Sequence, residues 1–62
     1  MMDEQGFAEL IREIESLGYD RITASRYAVI IGDTPLKDET GKVIVRDSDG
    51  TELAKLSLKF YS

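Results

Sequence analysis

The side chains able to do chemistry are few in kind. The chain holds no histidine and no cysteine, which removes the imidazole base, the thiolate nucleophile and the soft metal ligands. Carboxylates, lysines, tyrosines and serines are left. The densest set is Asp47-Ser48-Asp49-Gly50, a D-x-D-G fragment of the kind that opens calcium loops. A calcium loop of that type runs for about twelve residues, carries more acidic ligands and lies between helices. Here the next acid is Glu52, and the flanks read as strands. The stretch is therefore read as a hairpin turn, with Asp at the first position and Gly supplying the left-handed residue. No metal and no cofactor is expected. Paired-carboxylate hydrolysis needs two acids held across a cleft, and 62 residues leave little room for one. No G-x-S-x-G, phosphate loop or paired metal motif occurs. The expectation is a protein that is not an enzyme.

Charge supplies two candidate surfaces. The net charge is −4, and residues 1 to 17 hold five acids (Asp3, Glu4, Glu9, Glu13, Glu15) against one base, Arg12. The excess therefore sits on the N-terminal stretch, where Glu9 and Glu13 would offer an acidic helix face to a basic protein partner; the alternative is a solvated face that aids solubility. The second surface is basic: Lys42, Arg46, Lys55 and Lys59, with Tyr61 among them, fall on one side of two strands. A basic strand face can read nucleic acid in a groove, although net acidity opposes it, and strand lysines also guard sheet edges against aggregation. A third candidate is the loop 32–41, through Asp33, Leu36, Asp38 and Glu39, because loops often carry contacts.

The elements that would position these residues follow from periodicity. Phe7, Leu10, Ile11, Ile14 and Leu17 keep the i, i+3, i+4, i+7 spacing of one helical face, with Gln5, Glu9, Arg12, Glu13 and Ser16 opposite. This predicts a helix over about Asp3 to Leu17. Asp3 is its N-cap, and Gly18 is the left-handed residue that ends it, with Tyr19 folding back onto Ile14. Residues 20 to 25 read as a transition. Arg26 to Ile31 reads as a strand from its β-branched and aromatic content. That strand is apolar on both sides, so its second face must meet a late segment of the chain, a second copy or a partner. Pro35 suits the second position of a turn, and Leu36 would pin the loop to the body.

Lys42 to Arg46 forms the next strand, with Val43 and Val45 inward. Thr51 to Phe60 forms the last, with Ala54, Leu56, Leu58 and Phe60 facing the helix and Leu53, Lys55, Ser57, Lys59 and Tyr61 facing away. A one-residue bulge would scramble that alternation. The predicted fold is α+β: one domain, 1–62, in which the N-terminal helix packs on a three-stranded antiparallel meander in the order α-β-β-β. No internal repeat, linker or low-complexity tract is visible.

At 42% hydrophobic and 32% charged, the composition is that of a soluble globular domain. The longest apolar run, Ala28 to Ile31, is far short of the ~20 residues a membrane span requires. No basic segment followed by an apolar one opens the chain, so no signal peptide is read and the cytoplasm is the expected location. A chain this short buries only about 60% of its unfolded surface, which makes a homodimer a route to further stability.

Leu10-Ile11-Arg12-Glu13-Ile14, then Gly18-Tyr19, then strands ending in an Asp-Gly turn make the stretch from Leu10 to Gly50 similar to small phage-encoded proteins of Gram-positive hosts. Acidic anti-CRISPR Cas9 inhibitors are among them. The chain differs from the best-known of these inhibitors in lacking further helices and heavy acid loading, and no functional residue is transferred. The resemblance implies a compact, non-enzymatic phage or mobile-element protein that acts by binding. The functional expectation is thus a small protein-binding module, an inhibitor of a host defence or regulatory protein. The alternatives are nucleic-acid binding through the basic sheet face and a structural subunit of a homo-oligomer.

Overall fold

The computed structural model describes residues 3–59. Two helices, α1 (Glu4–Ser16) and α2 (Arg21–Asp33), precede three strands, β1 (Leu36–Lys37), β2 (Val43–Arg46) and β3 (Glu52–Leu56). The strands form one antiparallel sheet in the order β1-β2-β3. The chain is an α+β domain, and its meander is the predicted three-stranded one, with different membership.

Helix α1 forms for the reasons its sequence gives. Asp3 Oδ1 accepts the Gly6 N–H at 2.7 Å, satisfying a donor that the first turn leaves free. Leu10, Ile11 and Ile14 are buried, and Phe7 packs partly buried against them. Gly18 follows the C-cap Leu17 at φ +108°, a conformation that favours glycine. Leu17 itself does not join the core and stays 46% exposed. Tyr19 turns back onto the core, and its ring meets Tyr27 edge-on, centroids 5.3 Å apart.

The segment 26–31, predicted as a strand, is the second half of α2. The features that make it a helix are local. Asp20 Oδ1 accepts the Thr23 N–H at 3.1 Å and caps the helix. Ala24, Ala28 and Ile31 then fall at i, i+4 and i+7, and all three are fully buried. Val29, Ile30 and Ile31 each give up at most about 0.7 kcal/mol of helix propensity relative to alanine, less than burial of one helical face returns. The two alanines put short side chains on the buried face of α2, which permits close packing of the helix on the core. An exposed Arg21–Glu15 pair at 3.8 Å spans the junction between the helices.

The strand that replaces the predicted one lies in the loop 32–41. Leu36 and Lys37 pair with Ile44 and Val43 on one edge of β2. On the other edge Val43, Ile44 and Val45 face Leu56, Lys55 and Ala54, and Arg46 faces Glu52. Leu53 is the extra residue of a bulge there and breaks the predicted alternation. The last strand ends at Leu56 rather than Phe60. Leu58 is still buried, and Phe60 and Tyr61 lie outside the described residues. The core combines Leu10, Ile11, Ile14, Ala24, Ala28 and Ile31 from the helices with Val43, Val45, Leu56 and Leu58.

Both hairpin loops are built alike, a repeat five residues long. In Asp38-Glu39-Thr40-Gly41-Lys42 the Asp38 N–H donates to the Lys42 carbonyl (2.9 Å) and the Gly41 N–H to the Asp38 carbonyl (3.1 Å). In Asp47-Ser48-Asp49-Gly50-Thr51 the Asp47 N–H donates to Thr51 (3.0 Å) and the Gly50 N–H to Asp47 (3.1 Å). Each leading aspartate also accepts the N–H groups two and four residues on through Oδ1, at 2.9–3.1 Å. Gly41 and Gly50 sit at φ +86° and +89°.

Candidate functional site

Helix α2 presents apolar residues to solvent as well as to the core. Ile22 is 73% exposed and Val29 is 58% exposed; seven residues apart, they share the face opposite Ala24, Ala28 and Ile31. Arg26 lies between them and is exposed. Beside this stripe a cleft of about 510 Å³ opens between α2 and the β2–β3 hairpin, lined by Arg26, Ile30, Asp33, Leu36, Arg46 and Leu53 among others. A smaller hollow of about 210 Å³ shares Arg26, Ile30 and Leu53 with it and adds Thr23 and Tyr27. The two make one groove along α2, with an apolar floor and charged rims. Leu36 and Leu53 are each more than a third exposed. The bulge at Leu53 and the short β1 carrying Leu36 are what bring these side chains to the groove.

The predicted site residues divide between this groove and other duties. Asp33 and Leu36 from the loop set, and Arg46 from the basic set, line the groove together. Asp38 and Glu39 do not. Asp38 is half-buried, and its Oδ1 accepts Thr40 Oγ1 at 2.7 Å as well as the two loop N–H groups. Its Oδ2 lies 3.7 Å from Lys55 Nζ. The Thr40 hydroxyl, then the backbone N–H groups of Lys42 and Thr40 and the Lys55 charge, hold its carboxyl below the ordinary value against some desolvation. Glu39 is exposed in the turn.

On α1, Glu9 is exposed. Glu13 is half-buried, and its carboxylate accepts the Lys59 backbone N–H, tying the segment after β3 to the helix. The basic set is dispersed: Lys55 pairs with Asp38, Arg46 faces Glu52 across the ladder, Lys42 and Lys59 are exposed, and Tyr61 lies outside the described residues. Between Leu36 and Lys55, its cross-strand partners, Ile44 is buried outside the main core.

The Asp47–Gly50 stretch serves its own turn. Asp47 Oδ1 accepts from Asp49 and Thr51 N–H, and Asp49 Oδ1 accepts the Thr51 hydroxyl at 2.7 Å. Hydrogen bonding with the Asp47 side chain, then with the Thr51 hydroxyl and N–H, lowers the Asp49 carboxyl to about 2. No described helix is long and apolar enough to cross a membrane. A strand over 26–31 hides Arg26, Ile30 and the pair Ile22 and Val29, which helical spacing from the Asp20 cap brings out; Leu53, read on the outward side of the last strand, reaches the groove through the bulge. No protein-family model, curated protein or solved structure matches the chain.

Proposed function

We propose that the chain is a small, non-enzymatic protein-binding module that works by occupying its partner, as an inhibitor of a host defence or regulatory protein from a phage or mobile element does. The observation that carries this reading is the outer face of α2: Ile22 and Val29 stand open to solvent beside a groove floored by Ile30, Leu36 and Leu53. Single exposed apolar residues are normal on a surface; two on one helix face, next to a hollow that holds Ile30, Leu36 and Leu53 between charged rims, are what supports reading this side as an interaction site. The outer face of α2 and the groove are the contact surface in this reading; Glu13 is set aside because its carboxylate accepts the Lys59 backbone N–H.

The test is capture from a lysate of the source cells with the tagged chain, with nuclease treatment in parallel, comparing the wild type with Val29→Glu. One protein in stoichiometric amount, retained after nuclease and lost with Val29→Glu, is the expected result. Loss of all captured material on nuclease would move the function to nucleic acid. Equal capture by both chains would remove α2 from the contact.

A further inference from the structure

We infer that the groove between α2 and the β2–β3 hairpin receives an acid-bearing apolar segment of another protein, its bulky side chain entering between Ile30, Leu36 and Leu53 and its carboxylate meeting Arg26 and Arg46. This rests on the protein-binding reading and names the partner's chemistry. Both arginines line the groove and neither makes an ion pair among the described residues, whereas Arg21 is paired with Glu15 and Lys55 with Asp38. Of the two carboxylates on the rim, Asp47 keeps its charge but is turned to its own loop, its Oδ1 accepting the Asp49 and Thr51 N–H groups. Glu52, opposite Arg46 on the ladder, does not line the groove. That leaves Asp33, exposed at the C-terminal end of α2, to favour a basic group at that end of the ligand. An arginine fork on an apolar floor suits a carboxylate, which it can hold through two parallel hydrogen bonds while the neighbouring apolar side chain is desolvated.

A second copy of this chain fits the groove poorly. Packing α2 on α2 about a two-fold axis, with Ile22 against Val29 of the other copy, brings the two Arg26 side chains together at the axis. The chain's own acidic helix is a poorer occupant. Of the apolar residues near Glu9 and Glu13, Leu10, Ile11 and Ile14 are buried in its own core, and Leu17, at the C-cap, is the one large side chain exposed to solvent. The occupant must present acid and free apolar side chains side by side.

The experiment is selection of a random peptide library displayed on phage against the immobilised full chain, followed by affinity measurement on the enriched peptides. Enriched sequences should place Asp or Glu among Leu, Ile or Phe. Their binding should weaken roughly tenfold or more in Arg26→Glu and in Arg46→Glu, and also weaken with salt. Lysine in place of the peptide's acid should restore binding to Arg26→Glu. Circular dichroism confirms that the variants fold, and both side chains are exposed; Arg26→Gln gives a milder form of the same test. No enrichment, peptides without acid, or affinities indifferent to both arginines would overturn the inference. A dimer dispersed by Val29→Glu would overturn it too, in favour of a second copy. If peptides fail while Val29→Glu still abolishes capture of a lysate protein, this inference falls and the protein-binding reading stands.

Discussion

Helices α1 and α2 are the same length, thirteen residues each, and each begins at an aspartate whose carboxylate caps the first turn. They use their apolar residues in opposite ways. On α1 three large side chains, Leu10, Ile11 and Ile14, go inward, and the outward face is polar but for Ala8. On α2 the inward positions include two alanines, Ala24 and Ala28, while Ile22 and Val29 go outward. The difference teaches that hydrophobic content alone does not identify a helix's buried side. Helix α2 is anchored by Ala24, Ala28 and Ile31, with Tyr27 and Ile30 half-buried, and leaves Ile22 and Val29 in solvent.

Residues of the same type on the two helices make the contrast measurable. The largest effect is expected at Ile14, which is fully buried: Ile14→Ala should cost about 2–5 kcal/mol in chemical denaturation, most of the stability of a domain this size. Gly50→Ala places a side chain at φ +89° and should cost about 1–2 kcal/mol. It destabilises the hairpin wall of the groove without touching either helix, so binding and stability should fall together there. Asp20→Ala should cost about 1 kcal/mol and loosen α2 selectively, seen as faster amide exchange at its N-terminal turn.

Acid should probe the same cap more gently. The hydroxyl and N–H of Thr23 hold the folded Asp20 carboxyl below its ordinary value of 3.8. Its contribution is present above that value and is lost as pH falls through the lower folded value. Asp49, at about 2 when folded, acts in the same direction. The melting temperature should therefore drop as pH falls below 3.8, and Asp20→Asn should flatten part of that slope. The smallest effect on stability is expected at Ile22→Ser, within about 0.5 kcal/mol of wild type, against the several lost at Ile14.

The contrast between the helices also marks how far the sequence could be read. Helix α1, Leu17 apart, is legible because its cap, its periodicity and Gly18 all point the same way. The strands 43–46 and 52–56 and the turn between them were legible from alternation and from Asp47 to Gly50. Helix α2 was not, because Val29-Ile30-Ile31 outweighed the quieter signal of Asp20, Ala24 and Ala28. The edge strand at Leu36 was missed because a two-residue strand carries no period. Its loop nevertheless repeats the aspartate-to-glycine spacing of the second hairpin, Asp38–Gly41 beside Asp47–Gly50. Of the site, Asp33, Leu36 and Arg46 were named from sequence. Arg26, Ile30 and Leu53 depend on a helix and a bulge that the strand reading did not contain. The two-sided apolar strand expected at 26–31 is instead a helix on which Ala28 and Ile31 are buried, Tyr27 and Ile30 half-buried, and Val29 exposed.

The central claim is that the outer face of α2 is open in the folded chain and free of any stabilising duty. Equilibrium denaturation of the double variant Ile22→Ser/Val29→Ser, followed across a wide range of protein concentration beside the wild type, tests it directly. A stability within about 1 kcal/mol of wild type and midpoints of both chains that do not move with concentration are expected. A loss of several kcal/mol, or a wild-type midpoint that rises with concentration and ceases to do so in the variant, would show that this face is already buried against a second copy and would contradict the claim.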